Sequence, residues 1–207
     1  MRRLLGLCLM LLLGACNRVI TDAPLFFAAD AQGAPVLREG VWLIDEEPDC
    51  PFDAREPVAA WPDCADWVLI RDGEMLGFDE EKGEKNGQGE WQSIPFVLAA
   101  GDPPVLQLAL LKEEIPGYWY FGVEPTRLDD EGRVTAFVSW PVLCGPPPPE
   151  PRGEEPRFVT LEPLPGMTIR DQNCTTDQPQ AVRAAARVSR AWESDTDAAR
   201  WVKARYP

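Results

Sequence analysis

Histidine is absent from the chain. Its absence removes the commonest general base, the Ser-His-Asp and Cys-His arrangements of nucleophilic catalysis, and most zinc ligand sets. Cations are also scarce: 20 Lys and Arg stand against 34 Asp and Glu, a formal charge of −14. Such a balance disfavours a broad phosphate-binding surface, so no nucleic acid partner is expected. The most continuous apolar stretch, residues 4–13, is too short to cross a bilayer as a helix. No cysteine pair has CxxC spacing, and no acidic loop has the DxDxDG spacing that brings calcium ligands together. Neither a metal nor a cofactor is implied.

What remains is globular in composition: 207 residues, 45% hydrophobic and 26% charged, with 22 Pro and 16 Gly punctuating the chain. The first residues carry an address. Met1-Arg2-Arg3 is cationic, residues 4–13 are apolar, and Leu13-Gly14-Ala15 places small residues just before Cys16, the layout of a secretory signal. This segment resembles the type II signal peptide of bacterial lipoproteins, and Leu13-Gly14-Ala15-Cys16 matches the lipobox position by position. The resemblance implies cleavage after residue 15, acylation of Cys16 and a lipid-anchored envelope protein. With Asn17 rather than Asp after the cysteine, it also implies the outer membrane, facing the periplasm. Two or more acyl chains hold a protein on a bilayer where one would exchange off.

Cysteine usage fits an oxidising compartment. Once Cys8 leaves with the signal and Cys16 is acylated, Cys50, Cys64, Cys144 and Cys174 remain, an even set. Three pairings are open. The expected one is Cys50 with Cys64 and Cys144 with Cys174, because each pair brackets a proline-rich stretch with little else to pin it.

Four segments follow: a signal peptide (1–15), a lipid-anchored tether (16–35), an antiparallel β domain (36–175) and a C-terminal helical segment (176–207). Within the tether, Leu25-Phe26-Phe27 is too apolar for a free linker and should dock on the domain. Strand-like runs rich in Val, Ile, Trp, Tyr and Phe recur at 41–44, 67–71, 91–99, 105–111, 118–123, 134–140 and 157–161. Asp129-Asp130-Glu131-Gly132 reads as a hairpin turn. The expected fold is mainly β, an antiparallel meander forming a small barrel or sandwich. A C-terminal α-helix should pack on it. Asp177 with Gln180 resembles a capping box, and Ala181, Ala185, Val188 and Trp192 fall on one helical face. A further short helical turn is expected to open at 194–197 and carry Trp201 and Val202.

Gly40-Val41-Trp42 at the first strand resembles the GxW that opens the barrel of lipocalin-like proteins. That resemblance implies a barrel floor plugged by Trp42 and an interior that could carry a small apolar ligand. Read from the residues alone, Trp42 is core. The acidic clusters Asp45-Glu46-Glu47, Asp79-Glu80-Glu81, Asp129-Asp130-Glu131 and Glu154-Glu155 read as solvated turns, although paired carboxylates can hydrolyse glycans without histidine. The proline run from Pro146 to Pro151 reads as a polyproline II spacer or a docking site. Arg183, Arg187 and Arg190 share a helical face distinct from the apolar one. They meet either the domain's own acidic loops or anionic lipid. The functional expectation is a lipid-anchored, non-enzymatic binding or interaction protein of the cell envelope, partnered by the membrane and by another envelope protein or a small apolar ligand. A lipocalin-like carrier and a carboxylate hydrolase of envelope glycans are the alternatives.

Overall fold

A computed structural model describes residues 17–46, 50–62, 64–79, 90–110, 116–146, 162–170, 173–192 and 197–204. The signal, Cys16, the strand expected at 157–161, most of the proline run and parts of the acidic clusters lie outside them. In chain order the elements are β1 (Ile20–Thr21), β2 (Gly40–Glu46), β3 (Ala65–Arg71), β4 (Glu74–Asp79), β5 (Glu90–Ala99), β6 (Val105–Leu110), β7 (Gly117–Leu128), β8 (Val134–Pro141), β9 (Thr168–Arg170), β10 (Asn173–Thr175), α1 (Pro179–Ser189) and β11 (Asp197–Lys203).

The fold is a closed antiparallel barrel of eight strands with a helix packed against it. Strands β2 to β7 follow one another as a meander, β8 pairs with β7, and β11 inserts between β8 and β2 to close the ring. Inside it, Trp42, Ile70, Met75, Leu98, Leu106, Val123 and Phe137 are buried together. An outer cluster of Val19, Phe26, Val105, Tyr120, Val142, Val182 and Ala185 joins α1 and the N-terminal segment to the barrel wall. The helix is fixed there by polar contacts as well. Trp140 Nε1 donates to the Ala186 carbonyl at 2.9 Å, and Ser189 Oγ accepts from the Leu143 amide at 2.9 Å.

Both expected disulfides are present. Cys50 joins Cys64 with Cα atoms 5.8 Å apart, and Cys144 joins Cys174 at 6.1 Å. Each closure stabilises the fold by roughly 2–4 kcal/mol in the chain-entropy account. The first pins a loop outside β2 and β11. There Phe52 and Trp61 meet edge to face at 4.5 Å, Arg200 lies over Phe52, and Lys203 lies over Trp61. The Asp129 hairpin is also as expected, with Gly132 at φ 76°.

Several expectations are corrected. β11 replaces the short helix at the C-terminus, because Ala198 to Lys203 gain two strand partners across the open side of the barrel. β4 was not foreseen. It is created by Asp72 and Gly73, whose φ values of 52° and 78° give the type I′ hairpin that Asp-Gly favours. Helix α1 begins with Pro179 at its first turn and Gln178 as N-cap, without a side-chain cap from Asp177. Pro there is favourable because its missing amide would have no helical partner. The buried face runs through Ala181, Val182, Ala185, Ala186 and Ser189; it includes Ala181 and Ala185 of the expected face, whereas Val188 is exposed and Trp192 lies past the helix end. Of Leu25-Phe26-Phe27, the first two dock as expected while Phe27 is exposed, and Asn17, Val19 and Thr21 of the same segment are buried.

Trp42 is fully buried and 5.4 Å from the Phe137 ring, with its Nε1 donating to the Arg38 carbonyl at 2.8 Å. Trp42→Ala should therefore cost about 3–5 kcal/mol. Urea unfolding followed by circular dichroism checks this, and a loss near zero would show that the barrel interior is not close-packed around the indole.

Candidate functional site

Gly40 shows why the start of β2 needs glycine. Its φ is 134°, and a Cβ there would run into the Lys203 carbonyl and Trp201 Nε1. Gly40-Val41-Trp42 thus sets Trp42 inside the barrel while the end of β11, the neighbouring wall strand, comes close to Gly40. Further along the interior, Ile44, Val68, Ile94, Leu108 and Phe121 remain half-buried around the packed residues. An eight-stranded barrel has room for its own side chains or for one small ligand.

A cleft of about 390 Å³ opens where the N-terminal segment crosses the barrel end. Ala28, Ala31, Ala34 and Val36 form its outer wall, and Ile70, Phe96 and Leu98 of the barrel interior form its floor. The 3-10 turn Ala28–Ala31 that carries this wall is held in place: the Phe27 amide donates to Asp30 Oδ2 at 2.9 Å, and the Ala100 amide donates to the Asp30 carbonyl at 2.8 Å. The segment before it is anchored by Gln107. Its Oε1 accepts from the Leu25 and Phe26 amides and its Nε2 donates to the Phe26 carbonyl, all at 2.9 Å. Nothing in the sequence singled out Gln107 or Ala31. Gln107 reads as the polar member of a strand, and only the fold reveals three otherwise buried backbone groups around it.

A second cleft, of about 380 Å³, lies between Pro103, Glu124, Trp140, Arg187 and Arg190. The three arginines are brought to this side of the molecule and are engaged with it. Arg183 donates to the Ala100 carbonyl, lies 4.7 Å from the Phe26 ring and reaches Asp30 at 3.7 Å. Arg187 donates twice to the Asp102 carbonyl, at 2.8 and 3.1 Å. Arg190 pairs with Glu124 at 3.3 Å and lies over Trp140.

Of the acidic clusters, Asp129 organises its own turn. Desolvation opposes its ionisation, but hydrogen bonds from the Arg133 and Glu131 amides and the Arg133 side chain outweigh this and hold the carboxyl below its ordinary range. Among the described residues, no group of three or more His, Cys, Asp or Glu could hold a metal ion. No helix there is long and apolar enough to cross a membrane. Asn173, in an Asn-x-Thr triplet, is buried. The barrel's outer wall holds one buried phenol: Tyr120 shares a 2.6 Å hydrogen bond with Thr21 Oγ1, and burial pushes its pKa up to about 12 despite that bond. Compared with known proteins, the chain matches no family model, no curated protein and no solved structure at a significant level.

The Tyr120 shift has a pH consequence. The fold favours the protonated phenol, so this contribution is complete below the unfolded value near 10 and is lost as pH rises through about 12. Tyr120→Phe should cost about 1 kcal/mol at neutral pH through the lost hydrogen bond. Across that alkaline window, however, the variant should lose less stability than the parent. Paired urea midpoints test this, and parallel losses would show that Tyr120 does not titrate in the window.

Proposed function

We propose that this is a lipid-anchored protein of the bacterial cell envelope, facing the periplasm from the outer membrane, whose barrel binds a small apolar ligand without catalysing a reaction. The observation that carries the binding reading is the cleft of about 390 Å³ between the Ala28–Ala31 turn and Ile70, Phe96 and Leu98. Its volume falls within the range of small-molecule sites, and its walls are largely apolar side chains. Burying an apolar ligand there would contribute roughly 25 cal/mol for each Å² removed from water. The rigid barrel beneath it limits the ordering cost of binding.

The anchor rests on separate support. The lipobox Leu13-Gly14-Ala15-Cys16 follows a cationic start and an apolar run, and the two disulfides suit an oxidising space. Trp42 buried inside the barrel agrees with the Gly40-Val41-Trp42 resemblance, which supports the carrier reading.

Two measurements test the two halves. Cys16→Ser should move the protein from the membrane pellet to the soluble periplasmic fraction with its fold intact by circular dichroism. Retention in the pellet would overturn the anchor. The soluble variant should bind dansyl-labelled undecanoic acid saturably, and Ala31→Trp, which fills the cleft from an exposed position, should weaken that binding by about tenfold, roughly 1.4 kcal/mol. Absent or non-saturable binding, or equal binding by a folded Ala31→Trp, would overturn the cleft as the site.

A further inference from the structure

Resting on the anchored reading above, we propose that the lipid anchor joins the folded body without a spacer, so that the barrel lies directly on the bilayer through the edge formed by residues 17–22 and β9. Asn17, the residue bonded to Cys16, is only 1% exposed. Its carbonyl accepts from the Cys144 amide at 2.8 Å, and its side-chain amide reaches the Pro146 carbonyl at 3.5 Å. Order continues without interruption: the Cys174 amide donates to the Arg18 carbonyl at 2.9 Å, the Val19 amide donates to the Val142 carbonyl at 2.9 Å, and Ile20 and Thr21 pair with Trp119 and Tyr118 of β7. Consecutive Cα atoms are about 3.8 Å apart, so an acylated Cys16 holds its glyceryl group within one residue of the folded surface. The Cys144–Cys174 disulfide braces the chain that receives these bonds.

The chemistry of the adjoining edge suits a lipid surface. Ile169 in β9 is opposite Cys174, and Cys174 adjoins Arg18, so two strand spacings of about 4.8 Å each separate Ile169 from the Arg18 segment. All three β9 residues are exposed, Ile169 by 37%. Arg170 pairs with Asp22 along this edge, and the Arg18 guanidinium lies 5.3 Å from the Trp119 ring. Along one edge, the exposed Ile169 of β9, the Arg18 guanidinium and the half-buried Trp119 indole suit the headgroup layer, where Trp settles and a cation gains about 1 kcal/mol.

Hydroxyl-radical footprinting of the full lipidated protein in vesicles of phosphatidylethanolamine and phosphatidylglycerol tests the orientation, with soluble Cys16→Ser as the reference. Oxidation at Ile169 should fall by about threefold on the vesicle, given that interfacial groups sink about 5–10 Å into the lipid boundary. Leu128, 57% exposed and about 30 Å further along β7, should be unaffected. A Gly-Ser spacer of about ten residues between Cys16 and Asn17, with a reach of about 17 Å, should return Ile169 to its soluble reactivity. Equal Ile169 oxidation in both forms, with acyl mass on Cys16 confirmed by mass spectrometry, would overturn the spacerless orientation while leaving the anchor in place. Absence of acyl mass would instead remove the anchor and this inference with it.

Discussion

Closure by β11 is the constraint on which the rest depends. Without it, β2 and β8 would each present an unpaired row of amides and carbonyls, and the barrel interior would open between them. Every other neighbour in the ring joins strands adjacent in the sequence, whereas residues 197–203 must meet residues 41–43 and 136–139. Such long-range pairing is entropically expensive before it is complete, so ring closure is the step most sensitive to local destabilisation. Close packing at the joint makes the pairing specific. Gly40 leaves space for Trp201, whose Nε1 donates to the Glu39 carbonyl at 2.9 Å, while Arg38 lies 3.8 Å from the Trp201 ring.

A second consequence concerns the strands facing α1. β5, β6 and β7 bury both surfaces: Leu98, Leu106 and Val123 point into the barrel, while Ala99, Val105 and Tyr120 pack under the helix and the N-terminal segment. Residues 94–99, 105–110 and 117–123 of these strands are therefore nearly continuous apolar runs, in contrast to the alternation of a half-solvated sheet. Close approach is required on that outer wall. A Cβ on Gly122 would overlap the Trp140 indole, which in turn holds the Ala186 carbonyl of α1.

These features determine what could be read from the sequence. Strong β-branched and aromatic runs revealed β2, β3 and β5 to β8, and local cysteine spacing gave the disulfides. β4 was missed because Gly77 and the acidic Glu74 and Asp79 dilute its three apolar residues, although Asp72-Gly73 held the turn signal. The residues of β11 read as helical because Ala198, Ala199, Arg200 and Lys203 have good helix propensity, and tertiary pairing overrides so weak a preference. The expected stripe of α1 meets the buried face at Ala181 and Ala185 and departs from it at Val188, because alanines at 184, 185 and 186 leave the amphipathic pattern ambiguous and Ser189 is buried for its hydrogen bonds. The cleft was invisible for a related reason: its outer wall is a short run of alanines that forms a pocket only when Gln107 and Asp30 hold it over the barrel end.

The arginines of α1 show how charge separation becomes a structural device. Arg183 and Arg187 donate to carbonyls of Ala100 and Asp102, the link between β5 and β6, while Arg190 reaches Glu124 on β7. A helix end that is cationic in an acidic chain thus clamps the loop opposite it. Exposed ion pairs of this kind contribute less than about 1 kcal/mol each, so their principal effect is geometric. They keep the 100–104 link against α1 and, through Arg183 and Asp30, tie it to the same turn that walls the cleft. The guanidinium of Arg183 thus touches both the turn at 28–31 and the 100–104 link, so the position of each constrains the other through one side chain.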